Sequence, residues 1–264
     1  MKIIEPHIHT ASRTTDDLER MATAGIVAVM EPSFWPGSDR RYAGAFFDYF
    51  NHILTFETSR LAQFGMKHFC AIGVNPKEAE NLSLAKETIA GMGEYLDHEL
   101  AVAIGEIGLN NITENEEAVF RMQLEIARDR NLPVVIHLPH FNKIEGLKRV
   151  LAAVEETNIP RNLVLVDHNT EDTFATSKDA GVWCGMTIYP TTKLTPRRAA
   201  DIVYEYSADK TLINGSADWG ISDPLAVPKT VALMRREGRD DKEIQKLVYD
   251  NPIAFYGQSG KFVL

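Results

Sequence analysis

Only two cysteines, Cys70 and Cys184, occur in 264 residues. They lie far apart, each in an apolar, strand-like run, which excludes a disulfide framework and C-x-x-C chemistry and makes both reduced core residues. No window approaches 18 uninterrupted apolar residues, and the N-terminus has no basic segment followed by an apolar one. Neither a membrane span nor a secretory leader is expected, so the expected location is the cytoplasm. Positive charge is short too: 28 Lys and Arg face 37 Asp and Glu, for a net charge of -9 and a pI near 5.4. That balance disfavours the clustered cationic footprint of a DNA- or RNA-binding protein, without forbidding a local basic cleft. Also missing is any linker, low-complexity tract or short repeat at which the chain could be divided.

What is there is ordinary globular composition, 44% hydrophobic and 25% charged, in a chain long enough to bury a full core. Apolar β-rich runs alternate with amphipathic helical stretches throughout. Strands are expected at 3–10, 26–31, 67–74, 101–106, 133–137, 163–168, 182–188 and 211–216. Helices are expected at about 16–24, 42–64, from Asn75-Pro76 to about 96, 114–130, 143–156, after Thr195-Pro196, 224–236 and 241–249. Nearly continuous apolar strands suit a parallel sheet covered on both faces. Eight of them with intervening helices make a single-domain (β/α)8 TIM barrel over residues 1–264 the first choice, with an open doubly wound sheet as the alternative.

The polar residues that end those strands carry the chemistry. His7 and His9, one residue apart on the first strand, project from the same face. Glu106 ends strand four, His137 strand five and His168 strand six, while Asp218 follows strand eight. The steps from 106 to 137 and from 137 to 168 are both 31 residues, one βα unit, so these candidates fall at the same height at one barrel mouth. So many buried ionisable groups are costly unless a cation compensates them. Imidazole and carboxylate suit one or two divalent ions: zinc is the first choice, with Mn, Ni, Fe, Co or Mg as alternatives. Two ions would activate water and polarise a carbonyl or phosphoryl oxygen.

The order H-I-H at His7–His9, G-E-I-G-L at Gly105–Leu109, L-P-V-V-I-H at Leu132–His137, D-H at Asp167-His168, and the late Asp218 resembles the TatD-like metal-dependent hydrolases of the amidohydrolase superfamily. The likeness extends over nearly the whole chain, including Arg121–Ala127 and the closing Asp250–Tyr256. It implies that His7, His9 and Asp218 bind one metal, that His137 and His168 bind the other, and that Glu106 bridges them. It also implies that Asp218 accepts the proton of the attacking water. There are departures. The family's G-x-H-P-H loop is here Gly73-Val74-Asn75-Pro76-Lys77. The arginine that family nucleases carry two residues beyond the strand-five histidine is replaced by Pro139, followed by His140. The usual E-T-D is Ser216-Ala217-Asp218.

The reading is therefore a metal-dependent hydrolase, with Asp218 and Glu106 catalytic, acting on a small-molecule amide, ester, lactone or phosphoester. The alternatives are a TatD-type deoxyribonuclease and a non-catalytic metal-binding scaffold or pathway protein. A monomer or small homo-oligomer is expected. Asn75 reads first as a turn residue. His140 reads equally as pocket or surface, and Glu31 as a partner for a ligand histidine. His52, His68 and His98 read as solvated or half-buried. Phe34, Trp35, Trp183, Tyr189 and Trp219 lie near strand ends, and of these Trp35 and Trp219 are the candidates to shape a pocket.

Overall fold

The computed structural model describes residues 1–264. Eight strands alternate with helices: β1 (Ile3–Glu5), β2 (Ile26–Pro32), β3 (Lys67–Ile72), β4 (Ala101–Gly108), β5 (Val134–His137), β6 (Val164–Val166), β7 (Trp183–Thr187) and β8 (Thr211–Asn214). They pair in parallel in sequence order. Just beyond the ends of β1 and β8, the Ser216 amide donates to the His7 carbonyl (2.8 Å) and the His9 amide to the Ala217 carbonyl (3.0 Å). These bonds join the last strand to the first and make the sheet a barrel, in a single domain.

The barrel interior holds Ile4, Met30, Val102, Val135, Leu165 and Leu212, with alanines at 28, 71 and 103. The small side chains leave room for Phe255, Tyr256 and Phe262 of the C-terminal segment, which pack into the same cluster. The opposite strand faces pack against the helices, which is why parallel strands here read as unbroken apolar runs.

Several expectations change, among them the helix expected from Asn75-Pro76 to about 96, which is a 3-10 turn (Pro76–Glu78) followed by helices Leu82–Gly91 and Gly93–Asp97. β1 stops at Glu5, although Ile8 still donates to the Met30 carbonyl at 3.0 Å, so the segment stays extended past Pro6. The helix expected over 42–64 is three pieces: a helix at Ala43–His52, a π-helical turn at Ile53–Glu57 and a short helix at Thr58–Ala62. The turn coincides with a buried Glu57 that accepts from Thr10 (3.0 Å) and Arg60 (2.7 Å), a polar contact that apolar periodicity does not reveal. The last expected helix is likewise interrupted by a π-helical turn at Lys246–Asp250 before a further helix, Asn251–Tyr256. The short helix Phe174–Asp179 between β6 and β7 was not among the expected elements.

Candidate metal centre

Five of the six expected site residues meet at the C-terminal mouth. The Nε2 atoms of His7 and His9 are 3.2 Å apart, with the rings edge to face at 89°. Glu106 Oε1 lies 2.8 Å from His168 Nε2, 3.0 Å from His137 Nδ1 and 3.7 Å from His7 Nε2. All five side chains are buried. Ligand atoms of His7, Glu106 and His168 fall within 4.8 Å of one another.

A second tier of buried groups fixes the imidazole tautomers. Asn214 Nδ2 lies 3.0 Å from both oxygens of Asp167. A carboxylate can only accept here, so the amide nitrogen is the donor and Asn214 Oδ1 is left to accept from the Thr187 hydroxyl at 2.8 Å. Thr187 then accepts from His168 Nδ1 at 2.6 Å. In the same way Asp167 Oδ2, 2.6 Å from His7 Nδ1, accepts from that nitrogen. Both rings therefore carry hydrogen on Nδ1 and present a bare Nε2 lone pair to the mouth.

The electrostatics agree with that state. Burial drives His9 and His168 well below the ordinary histidine value, helped by His7 for the first and by Lys193 for the second. Burial alone would raise Glu106, but His137 and His168 beside it hold the carboxyl well below its usual range. The bare Nε2 atoms of His7 and His168 thus face an anionic oxygen, and His9 Nε2 lies against the first of them. His137 Nε2 is buried with no hydrogen-bond partner. Lone pairs converging in a dry site repel unless a cation lies among them, so the donor set fits a divalent metal.

Backbone geometry serves the same point. His168 has a left-handed backbone, φ 62°, unusual for a residue with a Cβ, and Asp167 Oδ1 accepts its amide hydrogen at 2.7 Å. Gly108 sits at φ +130°, where a Cβ would fall 2.5 Å from the His137 carbonyl oxygen. The second glycine of G-E-I-G is what lets strands four and five approach there.

Asp218 is placed differently from the expectation. Its Oδ1 accepts from the Tyr189 hydroxyl (3.0 Å) and the Gly220 amide (2.8 Å), and the residue is half-buried at the rim, outside the His7–Glu106–His168 group. The loop after β8 folds back on itself, with Ser222 bonded to the Asp218 backbone, and this turns the carboxylate toward Tyr189. Glu31 does not reach a ligand histidine either. It accepts from Thr10 and the Ala11 amide (3.2 Å) and pairs with His68 at 2.9 Å. His68 is accordingly buried rather than solvated, whereas His52 and His98 are half-exposed.

Asn75 plays both of its parts. Oδ1 accepts from the Lys77 amide (3.1 Å) in a turn, while Nδ2 donates to Glu106 Oε2 (3.0 Å). His140 is only partly exposed at the rim, its ring 6.1 Å from that of His137. Of the aromatics, Phe34 stacks on His9 at 3.9 Å, Trp219 lies 6.2 Å from Phe34, and Trp183 is a core residue whose indole donates to the Asn162 carbonyl. Asp167 and Lys193 escape sequence reasoning, and Phe34 reads there only as one of several aromatics near strand ends. The D-H pair was the only signal for Asp167, and it does not say which member faces inward.

Comparison with known proteins agrees with this geometry. A family model described as TatD related DNase matches residues 4–257. An uncharacterized metal-dependent hydrolase of Methanocaldococcus jannaschii is 34% identical over 260 residues, 96% of this chain and 99% of the relative. A TatD-like protein from Archaeoglobus fulgidus superimposes with a TM-score of 0.79 at 25% identity, covering 96% of this chain and 99% of that one. The β-aspartyl dipeptidase of Fervidobacterium islandicum shares the fold, with a TM-score of 0.65 at 14% identity over 96% of this chain and 74% of its own.

Proposed function

The chain belongs to the TatD-related family of metal-dependent hydrolases, and from that premise we propose that it hydrolyses a small molecule at the barrel mouth, with His7, His9, Glu106, His137 and His168 holding one or two divalent ions, zinc first among them. The observation that carries the metal assignment is the convergence of bare Nε2 atoms on Glu106 in a buried site. When bound, such ions supply an acidified water and polarise the oxygen of the bond to be cleaved.

The remaining steps belong to the chain. Asp167 and Thr187 hold the His7 and His168 rings in the ligand tautomer, so nothing has to reorganise when substrate arrives. Against the burial that would raise it, the imidazoles keep Glu106 ionised, and Asn75 orients it. Phe34 covers one face of His9 and excludes water there. Asp218, whose Oδ1 is held by Tyr189 and Gly220, has Oδ2 free to take a proton from the attacking water and pass it to the leaving group.

The second reading is a deoxyribonuclease, favoured by the family's description. Pro139 stands where the resemblance would put a phosphate-binding arginine, which favours the small substrate. A panel of nitrophenyl esters, amide and lactone substrates and single-stranded DNA separates the two. We expect turnover of a small substrate that chelation abolishes and that His137→Ala lowers by at least about a hundredfold. Cleavage of DNA alone would reverse the preference, and turnover unaffected by chelation would remove the metal mechanism.

A further inference from the structure

Although the chain carries a net charge of -9, the mouth is ringed by lysines from three loops. Lys77 lies in the turn Pro76–Glu78 after β3, Lys143 is the first residue of the helix Lys143–Thr157 after β5, and Lys193 lies in the loop after β7. The ion pairs that lysines make in this protein, Lys229 with Asp223 and Lys246 with Asp209, are elsewhere, and none of the three mouth lysines has a carboxylate within 4.0 Å.

Each ammonium is nonetheless held in place. Lys193 lies over the Tyr189 ring at 5.0 Å, on the same tyrosine that bonds Asp218, and its amide donates to the Tyr189 carbonyl at 2.8 Å. Lys77 lies over Trp35 at 4.9 Å. Lys143 donates to the carbonyl of the ligand residue His168 at 2.9 Å, although the start of a helix normally favours an acid over a cation. Lys143 and Lys193 are half-buried while Lys77 is exposed, and fixed, unpaired ammonium groups that are partly desolvated are costly unless an anion completes them.

We infer that Lys193, with Lys143 beside it, forms an anion subsite next to the metal centre, and that the substrate carries a carboxylate or phosphate group close to the bond that is cleaved. The inference rests on the hydrolase reading above and gives it a substrate class. His140 registers the field of these lysines: burial first, then Lys193, with His137, Lys143 and Lys77 adding, pushes its imidazole down to about 4. The acids that face Lys193 are Glu106, Asp167 and Asp218. Two of them are already committed to imidazoles and the third to Tyr189, so none neutralises the ammonium by direct contact. A lysine, as a compact point charge, accepts either a carboxylate or a phosphate.

The test is equilibrium binding to the protein as purified, which needs no turnover. Succinate, glutarate and adipate are titrated calorimetrically beside their monomethyl esters, which lack one charge, and beside 3-phosphonopropionate. We expect at least one diacid to bind about tenfold or more tightly than its monoester. That ratio should fall to within about threefold in Lys193→Met and survive in Lys193→Arg. A stronger effect on the phosphonate than on the dicarboxylates identifies phosphate as the natural anion; the reverse identifies carboxylate. The inference is overturned if no diacid outbinds its monoester, if Lys193→Met keeps the preference, or if single-stranded oligothymidine binds and the diacids do not compete. Anion binding that depends on Lys193 in a protein that turns over nothing would leave this subsite standing and remove the hydrolase reading instead.

Discussion

Asp167 sets the state of two imidazoles, bonding His7 Nδ1 directly and reaching His168 through Asn214 and Thr187. Partners of this kind usually contribute 10–100-fold to metal affinity or activity. Asp167→Asn should therefore lower metal affinity by about that factor with little change in melting temperature, measured by competition with a chromogenic chelator. Unaltered affinity would mean that the histidines need no orienting partner. At this scale the clustering of these histidines was legible in the sequence, because His137 and His168 each end an apolar run at a 31-residue interval. Orientation was not. Nothing in an alternating pattern says that Glu31 turns to His68, that Asp218 turns to Tyr189, or that Lys193 comes to lie over an aromatic ring beside the mouth.

Among the elements, the two shortest strands lead into three of the clustered histidines, while Glu106 lies on the longest, β4. β6 spans Val164–Val166 and β1 Ile3–Glu5, so His7, His9 and His168 all stand just past a strand end, on backbone free to bend toward the centre. The apolar runs located these strands well, but the polar ends counted as strand were the site itself. β7 contributes by omission: a Cβ on Gly185 would lie 2.4 Å from Asp167 Oδ1. Gly185→Ala should push that carboxylate off His7 and destabilise the fold by about 1–3 kcal/mol, read from urea denaturation, with metal affinity lost in parallel. Stability lost with affinity intact would uncouple β7 from the centre. The interrupted helices were illegible for the opposite reason. Their apolar stripes run through the π-helical turns, and only a buried partner such as Glu57 marks the break.

For the whole molecule, the sequence of strands and helices was enough to anticipate the barrel, since alternation of this length has few parallel solutions. The C-terminal plug of Phe255, Tyr256 and Phe262 was not anticipated, because apolar residues near a chain end do not announce what they fill. Burial also governs the thiols. It pushes Cys184 up to about 12 and Cys70 well above the ordinary cysteine value, so neither forms thiolate at working pH. The native protein should give no reaction with a disulfide reagent from pH 7 to 9 and two thiols per chain after denaturation. Rapid native labelling would show that the core opens.

The central claim is that buried imidazoles and one carboxylate at the mouth exist to hold metal. Elemental analysis of protein purified without added metal tests it directly, beside a Glu106→Ala variant whose fold is checked by circular dichroism. The account predicts about one or two divalent transition-metal ions per chain in the native protein and a loss of most of that metal in the variant. Negligible metal in the native protein, or the same content in a folded Glu106→Ala variant, would contradict it.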